Sequence, residues 1–273
     1  MKLGLYLRNM GPQSTRQSLL ECVRAAEDAG VDDVWVADHV AIPPDDAEGS
    51  DGRYLDPLAT LAFLAGATTR IGLGTGVLVL PYRPALPTAK WMATIQELSA
   101  GRLLLGVGVG WMPAEFRALG VDLARRGKIS DSHLDFFDRC FAGVEVEENG
   151  QKFLFRPRPP RPPIFVGGAA PHAWRRAARW GDGWFPVGLP ADLAAPLVAE
   201  FQETAARAGR PPMELVMGVS LALDDPPRAA DQARAYADAG ATRLAHAWRY
   251  DSPSAFRRAA EVMGGAVREA LSE

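Results

Sequence analysis

Short apolar runs alternate along this chain with longer segments in which apolar residues recur every three or four positions. The short runs are predicted strands, and the longer segments are predicted helices because their spacing matches the helical repeat. The predicted strands comprise residues 3–7, 33–37, 71–80, 102–109, 164–167, 183–186, 214–223 and 242–247. The predicted helices comprise residues 56–69, 86–98, 111–119, 128–142, 171–180, 191–208, 228–239 and 253–271, with one more between the first two strands.

Residues with special backbone preferences mark the ends of the first two helices. Ser14 and Gln17 have the spacing of a capping box, and Gly30 suits the position just after the end of the first helix. Asp56 and Pro57 are expected at the N-cap and the first position of the second helix.

Eight strands alternating with helices over about 250 residues is the count of a (β/α)8 TIM barrel. We therefore predict an α/β TIM barrel in which residues 1–273 form one domain, with an open doubly wound sheet as the alternative. A charged turn at residues 145–150 and the stretch RPRPPRPP at residues 156–163 interrupt the pattern. Because the alternation resumes at once, we interpret these prolines as a stiff approach to the fifth strand and not as a domain boundary.

Composition restricts the partners and the compartment of the protein. Hydrophobic residues make up 48% of the chain and the net charge is −3, so no broad cationic surface is expected to attract nucleic acid or anionic lipid. Apolar runs are too short for a signal peptide or a membrane span. Cys22 and Cys140 lack metal-type spacing, which favours a reducing compartment. We expect a cytoplasmic protein that binds neither nucleic acid nor membrane.

Glycines collect where the third, fourth and fifth strands end, at the edge where parallel α/β proteins bind ligands. They are Gly72, Gly74 and Gly76 around Thr75, then Gly106, Gly108 and Gly110, then Gly167 and Gly168. The first two sets are not GxGxxG fingerprints, because Val77 and Trp111 occupy the last position; a nicotinamide-binding Rossmann domain is disfavoured. The alternative role of the glycines in these two sets is to allow close packing of neighbouring strands. The Gly167-Gly168 pair opens a helix, whose N-terminus can bind phosphate.

Asp38 and His39 follow the second strand at the same edge. Imidazole exchanges a proton near neutral pH, and the adjacent carboxylate could orient it or contact a ligand; the alternative is a capping Asp and a loop His. His246, near the end of the last strand, could face the same pocket, whereas His133 and His172 are expected at the surface or at caps. No HExxH, HxH or GxSxG motif is present, so neither a catalytic metal nor a serine hydrolase is supported.

Three segments together resemble the bacterial luciferase-like superfamily, and most closely its coenzyme F420-dependent branch. They are VWVADHV (34–40), the glycine-rich run from TRIGLGTG to VGVGW (69–111), and PPIFVGGAAPHAWRRAARWGDGWFP (162–186). The similarity extends from about Leu3 to Pro186. It implies a luciferase-like (β/α)8 barrel that transfers a hydride between reduced deazaflavin and a small organic substrate.

The resemblance also implies the residues of the site. His39 is the expected proton donor or acceptor, and Asp38 is expected to line the deazaflavin or to orient His39. A non-proline cis peptide is expected between Gly76 and Val77, behind the ring, with Thr75 beside it. Contacts to the ring, to its tail and to the cofactor phosphate are expected from Gly108, Val109 and Gly110 and from Gly167, Gly168 and Ala169.

One departure from the family and two alternative functions stay open. Trp111 stands where some relatives carry a Glu with an acid role, which puts a two-residue His/Glu proton mechanism in doubt. The alternative cofactor is FMN, in a flavin monooxygenase that depends on a separate reductase; a flavin carrier without turnover is a further alternative.

Asn9, Met10 and Tyr82 are candidate residues for the lining of the pocket. The expected partner is a small-molecule substrate, with a homodimer as the candidate assembly.

Overall fold

A closed barrel of eight parallel strands forms the centre of the computed structural model, which describes residues 1–272. The described residues form ten strands, of which β5 and β6 lie outside the barrel: β1 (Lys2–Tyr6), β2 (Asp33–Val36), β3 (Gly72–Val79), β4 (Leu103–Gly108), β5 (Glu145–Glu148), β6 (Gln151–Leu154), β7 (Ile164–Gly167), β8 (Gly183–Phe185), β9 (Glu214–Val219) and β10 (Arg243–His246). The barrel runs β1–β2–β3–β4–β7–β8–β9–β10, and β10 pairs with β1. The predicted TIM barrel is confirmed, and the open doubly wound sheet is excluded.

Helices cover the outside of the barrel. They are α1 (Arg16–Asp28), α2 (Pro57–Ala65), α3 (Ala85–Leu98), α4 (Pro113–Leu119), α5 (Arg126–Ala142), α6 (His172–Trp180), α7 (Ala191–Arg207), α8 (Pro226–Asp238), α9 (Pro253–Val262) and α10 (Arg268–Ala270). The predicted helix at 253–271 is interrupted by a π-helical turn, Met263–Val267, where Gly264 packs directly against the carbonyl oxygen of Ala29. Within residues 1–272, no helix is both long enough and apolar enough to cross a membrane.

Large side chains from β2, β7 and β8 fill the interior of the barrel. Trp35, Phe165 and Phe185 are fully buried there, and Trp35 meets Phe185 edge-on with ring centroids 5.2 Å apart. Gly4 and Gly74 flank the indole so closely that a Cβ on either would collide with it. Gly74 therefore has the packing role that the sequence left open, and the interior is packed protein, as in other TIM barrels.

The segment after α5 forms a hairpin. The sequence predicted only a charged turn there, at residues 145–150. Its strands β5 and β6 are antiparallel and are joined by Asn149 and Gly150, whose φ values are 51° and 76°. Positive φ at both positions is typical of a type I′ turn. Half of the residues in the two strands are charged, so their sequence lacks the apolar run that predicts a strand. The proline-rich stretch then leads into β7, which pairs with β4 in the same barrel, as predicted.

The N-terminus of α1 differs from the predicted capping box. Thr15 is the N-cap, and its hydroxyl accepts the N–H of Ser18 at 3.1 Å. Ser14 is used elsewhere, since its hydroxyl donates to the Gly11 carbonyl and accepts from the Arg53 side chain. The predicted capping box at Ser14 and Gln17 is therefore wrong, and the N-cap lies one residue later, because the contacts with Gly11 and Arg53 hold Ser14.

The other predicted boundaries lie close to the observed ones. Asp56 is the N-cap of α2 as predicted, accepting the N–H of Ala59 at 3.0 Å. Gly30 follows α1 with φ of 75°. The larger differences are the end of α2 at Ala65, short of residue 69, and the end of β9 at Val219, short of residue 223.

Candidate functional site

Asp38 lies just beyond β2 and is held by the segment that follows β3. Its carboxylate forms a bidentate ion pair with Arg83, at 2.7 and 2.8 Å, and accepts the backbone N–H of Val79 at 2.9 Å. Arg83 also binds Asp56, the cap of α2. Burial raises the pKa of Asp38, and Arg83 opposes that shift. Asp38 thus ties the end of β2 to the end of β3.

His39 is oriented by Glu115, not by Asp38. Its Nδ1 lies 2.9 Å from Oε2 of Glu115, which belongs to the first turn of α4, just after β4. Of the two roles expected for Asp38, the orientation of His39 is excluded, because both oxygens of Asp38 are occupied by Arg83. The two-residue His/Glu arrangement that Trp111 put in doubt is present, with its acid four residues further along the chain.

Glu115 is fully buried and collects four hydrogen bonds. Besides His39, it accepts the Tyr82 hydroxyl at 2.7 Å and the backbone N–H groups of Val40 at 2.6 Å and Ala41 at 3.0 Å. Burial by itself would raise the pKa of Glu115, but the hydrogen bonds from Ala41, Tyr82, Val40 and His39 lower it below its usual value. An anionic acceptor makes Nδ1 of His39 the donor, which leaves Nε2 for other chemistry.

Two aromatic rings flank His39. The ring of Tyr54 lies 4.9 Å away, and that of Trp111 lies edge-on at 6.3 Å. The His39 side chain is 20% exposed, so it remains reachable from outside the protein. Trp111 is 70% exposed and also lines the main cleft of the protein, which lies where β3, β4, β7 and β8 end. Trp111 thus connects the His39–Glu115 pair with that cleft.

The main cleft, of about 700 Å³, opens where β3, β4, β7 and β8 end. Seven of the residues predicted to bind the cofactor line it: Val77, Gly108, Val109, Gly110, Gly167, Gly168 and Ala169. Asp38 and His39 were also expected to contact the cofactor, but neither lines this cleft. Its other walls are Trp111, Ala170, Trp174, Trp184, Phe185, Pro186, Val187, Gly188, Leu189, Pro190 and Leu197. None of these described lining residues has an ionisable side chain, so polar contacts there come mainly from the backbone. Sequence reasoning missed the β8–α7 part of this wall, which carries no motif.

The wall between β3 and β4 contains the cis peptide expected from the resemblance, at Gly76–Val77. Thr75 and Gly76 do not line the cleft. The Thr75 hydroxyl donates to the carbonyl of Gly106 at 2.8 Å, and the Gly76 carbonyl accepts the hydroxyl of Tyr6 at 3.0 Å. Both predicted residues therefore support the wall from behind.

The turn after β7 brings the N-terminus of α6 to the cleft. Gly168 has φ of 105°, a backbone conformation that favours glycine. Its carbonyl accepts the indole N–H of Trp184 at 2.8 Å, which fixes the turn against β8. Ala169 then accepts the N–H of Ala173, in the first turn of α6. The positive end of this helix therefore lies beside the cleft, an arrangement that suits an anion.

Other candidate residues take supporting positions. Asn9 is buried and binds the backbone of Ala37 and Leu55, which fixes the chain after β2. Met10 pairs with Tyr54 in an isolated bridge. His246 lies on the outer face of β10, because its neighbour Ala245 points into the barrel interior. The expectation that His246 faces the main cleft is therefore wrong.

Comparison with known families gives one clear match. The sequence profile of the luciferase-like monooxygenase family matches residues 1–270. An F420-dependent hydroxymycolic acid dehydrogenase of Mycobacterium tuberculosis is 31% identical over 264 residues, which cover 89% of this chain and 68% of that protein.

Solved structures share the fold at low sequence identity. An F420-dependent secondary alcohol dehydrogenase in complex with an F420–acetone adduct superposes with a TM-score of 0.77 at 16% identity, covering 98% of this chain and 99% of that one. The oxygenating constituent of 3,6-diketocamphane monooxygenase from Pseudomonas putida, in complex with FMN, gives 0.79 at 15% identity, covering 98% and 97%.

Proposed function

Because the chain belongs to the luciferase-like monooxygenase family, we propose that it is an F420-dependent oxidoreductase acting on a small organic substrate. The relative that is 31% identical across 89% of the chain supports F420 as the cofactor. A bound deazaflavin would supply or accept the hydride. The observation that carries the proposal is the Nδ1 contact of His39 with buried Glu115, beside a cleft that suits a planar ring.

The residues present fit such a cofactor. The walls are apolar, and Gly108 leaves room that a side chain would fill, since a Cβ there would lie 2.7 Å from Cγ2 of Val77. We assign the ring contacts to Val77, Gly108, Val109 and Gly110. We assign the phosphate to the backbone of Gly167, Gly168 and Ala169 at the N-terminus of α6, because the described lining residues offer no charged side chain.

The chain's own residues would handle the proton. Glu115 fixes the tautomer of His39 and stabilises its protonated form, so Nε2 can give a proton to the substrate or accept one from it. Tyr82 and two backbone N–H groups keep the carboxylate in place. Asp38 is a positioning residue in this proposal, because it anchors the chain leading to His39 through Arg83.

Absorbance titration tests the cofactor directly. Oxidised F420 and FMN are each added to the purified protein to measure uptake. The bound cofactor is then reduced chemically, and its reoxidation is followed without oxygen in the presence of small carbonyl compounds and, separately, with oxygen. Uptake and oxygen-independent turnover of F420 support the proposal; uptake of FMN alone with oxygen consumption identifies the monooxygenase alternative.

His39→Gln should retain cofactor binding and lose turnover. Full binding with unchanged turnover would overturn the role of His39, and binding without any turnover would favour a flavin carrier.

We also propose a homodimer formed through α2 and α3. These neighbouring helices expose Phe63, Trp91 and Leu98, and exposed large apolar side chains are common at interaction sites. Light scattering should find a dimer at micromolar concentration, and Trp91→Glu should give a monomer. Leu154→Glu is the control, because Leu154 is also apolar and exposed (66%, against 43% for Trp91) but lies on the β5–β6 hairpin. A monomeric wild-type protein would contradict the proposal.

A further inference from the structure

A second cavity lies outside the barrel, between the start of α8 and the length of α9. Its volume is about 630 Å³, within the range of small-molecule sites. Its lining, which we call the α8–α9 cavity, consists of Leu221, Leu223, Asp224, Pro226, His246, Trp248, Ala255, Arg258, Ala259 and Val262. It shares no residue with the main cleft.

His246 gives this cavity a buried polar group. The side chain is 1% exposed, and its Nδ1 accepts the backbone N–H of Leu221 at 2.9 Å. Since Nδ1 is the acceptor, the ring proton is on Nε2, which is therefore a donor. Among the described residues, Nε2 has no hydrogen-bond partner. Burial also lowers the pKa of His246 to about 4, so the ring is neutral at pH 7.

Trp248 holds the imidazole in place. Its ring stacks on His246 with centroids 4.7 Å apart and planes tilted by 30°, and it stacks in turn on Phe256 of α9. Packing on one face and the Leu221 hydrogen bond on one edge leave His246 little freedom to turn Nε2 towards another protein group. Buried donors are nearly always paired, so this one indicates an acceptor that the protein does not provide.

We propose that the α8–α9 cavity binds an uncharged, mainly apolar small molecule whose carbonyl oxygen accepts a hydrogen bond from Nε2 of His246. Most of the walls are apolar, which suits an aliphatic or aromatic body. The charged residues of the described lining, Asp224 and Arg258, are both exposed and opposite in sign, so they favour neither an anion nor a cation. A carbonyl group supplies the acceptor without burying a charge against a neutral ring.

A pair of probes separates hydrogen bonding from simple cavity filling. Acetophenone carries a carbonyl oxygen, whereas ethylbenzene has nearly the same shape and no acceptor. We expect acetophenone to bind roughly tenfold more tightly, because only acetophenone pairs the buried donor. In protein labelled with ¹⁵N-histidine, acetophenone should shift the Nε2 signal of His246 and leave that of exposed His172 unchanged.

Two variants make the inference falsifiable. His246→Phe should bring the affinity ratio of the two probes close to one, because the donor is gone while an aromatic ring still occupies the position. Ala255→Phe should fill the cavity, abolish binding of both probes and leave the His246 signal of a folded protein in place. Equal affinities for the two probes in the wild type, an unmoved His246 signal, or a single trapped water as the acceptor would overturn the proposal. The His246 signal reports the α8–α9 cavity and not the main cleft, so this readout is independent of the proposed oxidoreductase function.

Discussion

Glu115 accepts a hydrogen bond from Nδ1 of His39 at 2.9 Å and thereby links the chain after β4 to the chain after β2. The carboxylate is completely buried, whereas the imidazole is partly exposed. This is the arrangement in which a buried acid sets the tautomer of a histidine and leaves its second nitrogen free to exchange protons.

Replacing Glu115 with Gln should lower kcat roughly 10- to 100-fold, because the neutral amide neither fixes the tautomer of His39 nor stabilises its charged form. Cofactor affinity should change less than about threefold, since Glu115 does not line the cleft. Steady-state kinetics and a cofactor titration on the same preparation measure both effects. Tyr82→Phe is the control: it removes one donor but keeps the carboxylate. A Glu115→Gln enzyme with normal kcat would show that the pair has no part in proton transfer.

Replacing Arg83 with Leu should destabilise the fold by about 3–5 kcal/mol, because it leaves the Asp38 carboxylate buried without its counter-charge. Urea unfolding measures this loss. Arg207→Leu provides the comparison, since the Arg207–Glu203 pair is exposed, with side chains 74% and 69% accessible, and such pairs contribute about 0–1 kcal/mol. Equal losses in the two variants would mean that Asp38 is readily solvated or protonated in the fold.

Replacing Gly168 with Ala should weaken cofactor binding. With φ of 105°, the turn must shift to accept a side chain, and the backbone amides at the start of α6 would move with it. Gly150→Ala is the matched variant, because Gly150 also has positive φ and an added Cβ would meet nothing within 4 Å. Both substitutions should cost about 1 kcal/mol or more in unfolding free energy, while only Gly168→Ala raises the cofactor Kd. Loss of affinity in both variants would point to global destabilisation.

The burial of His246 predicts how stability depends on pH. Its pKa falls from 6.5 to about 4 in the folded protein, so between these values the unfolded chain binds a proton that the folded chain does not. Stability should therefore decrease as the pH falls from about 6.5 to 4, with this residue contributing up to about 1.4 kcal/mol per pH unit. Urea unfolding at several pH values should show a slope shallower by that amount in His246→Phe. Parallel slopes in the two proteins would contradict the burial argument.

The barrel and the location of its cleft could be predicted because they depend on local patterns. Strand–helix alternation determines the topology, and the glycines at the ends of β4 and β7 line the cleft as expected. The glycines of β3 do not, because Gly74 packs against Trp35 and Gly76 lies behind the wall. The cis bond at Gly76–Val77 came from family resemblance and is also confirmed. The β5–β6 hairpin was missed because its strands are short and charged, although Asn149-Gly150 was a usable signal.

The partners of Asp38 and His39 could not be predicted, because they come from distant parts of the chain. Arg83 lies 45 positions after Asp38, and Glu115 lies 76 positions after His39. Neither separation corresponds to the repeat of a helix or a strand, so no local sequence pattern indicates the contact. Adjacency of Asp38 and His39 suggested that they act together, but consecutive residues leaving a strand point in different directions. Glu115, an acidic residue in the first turn of α4, is the sequence feature that could have indicated the partner of His39.

The packing of Trp35 against Phe165 and Phe185 has a consequence for evolution and engineering. Deepening the cleft would require removing aromatic rings that are fully buried, with a large penalty in stability. Widening it sideways involves the β8–α7 segment, where Val187 is 69% exposed and tolerates change. New substrate preferences should therefore arise from changes in the β8–α7 segment, while Trp35, Phe165 and Phe185 beneath the cleft stay the same.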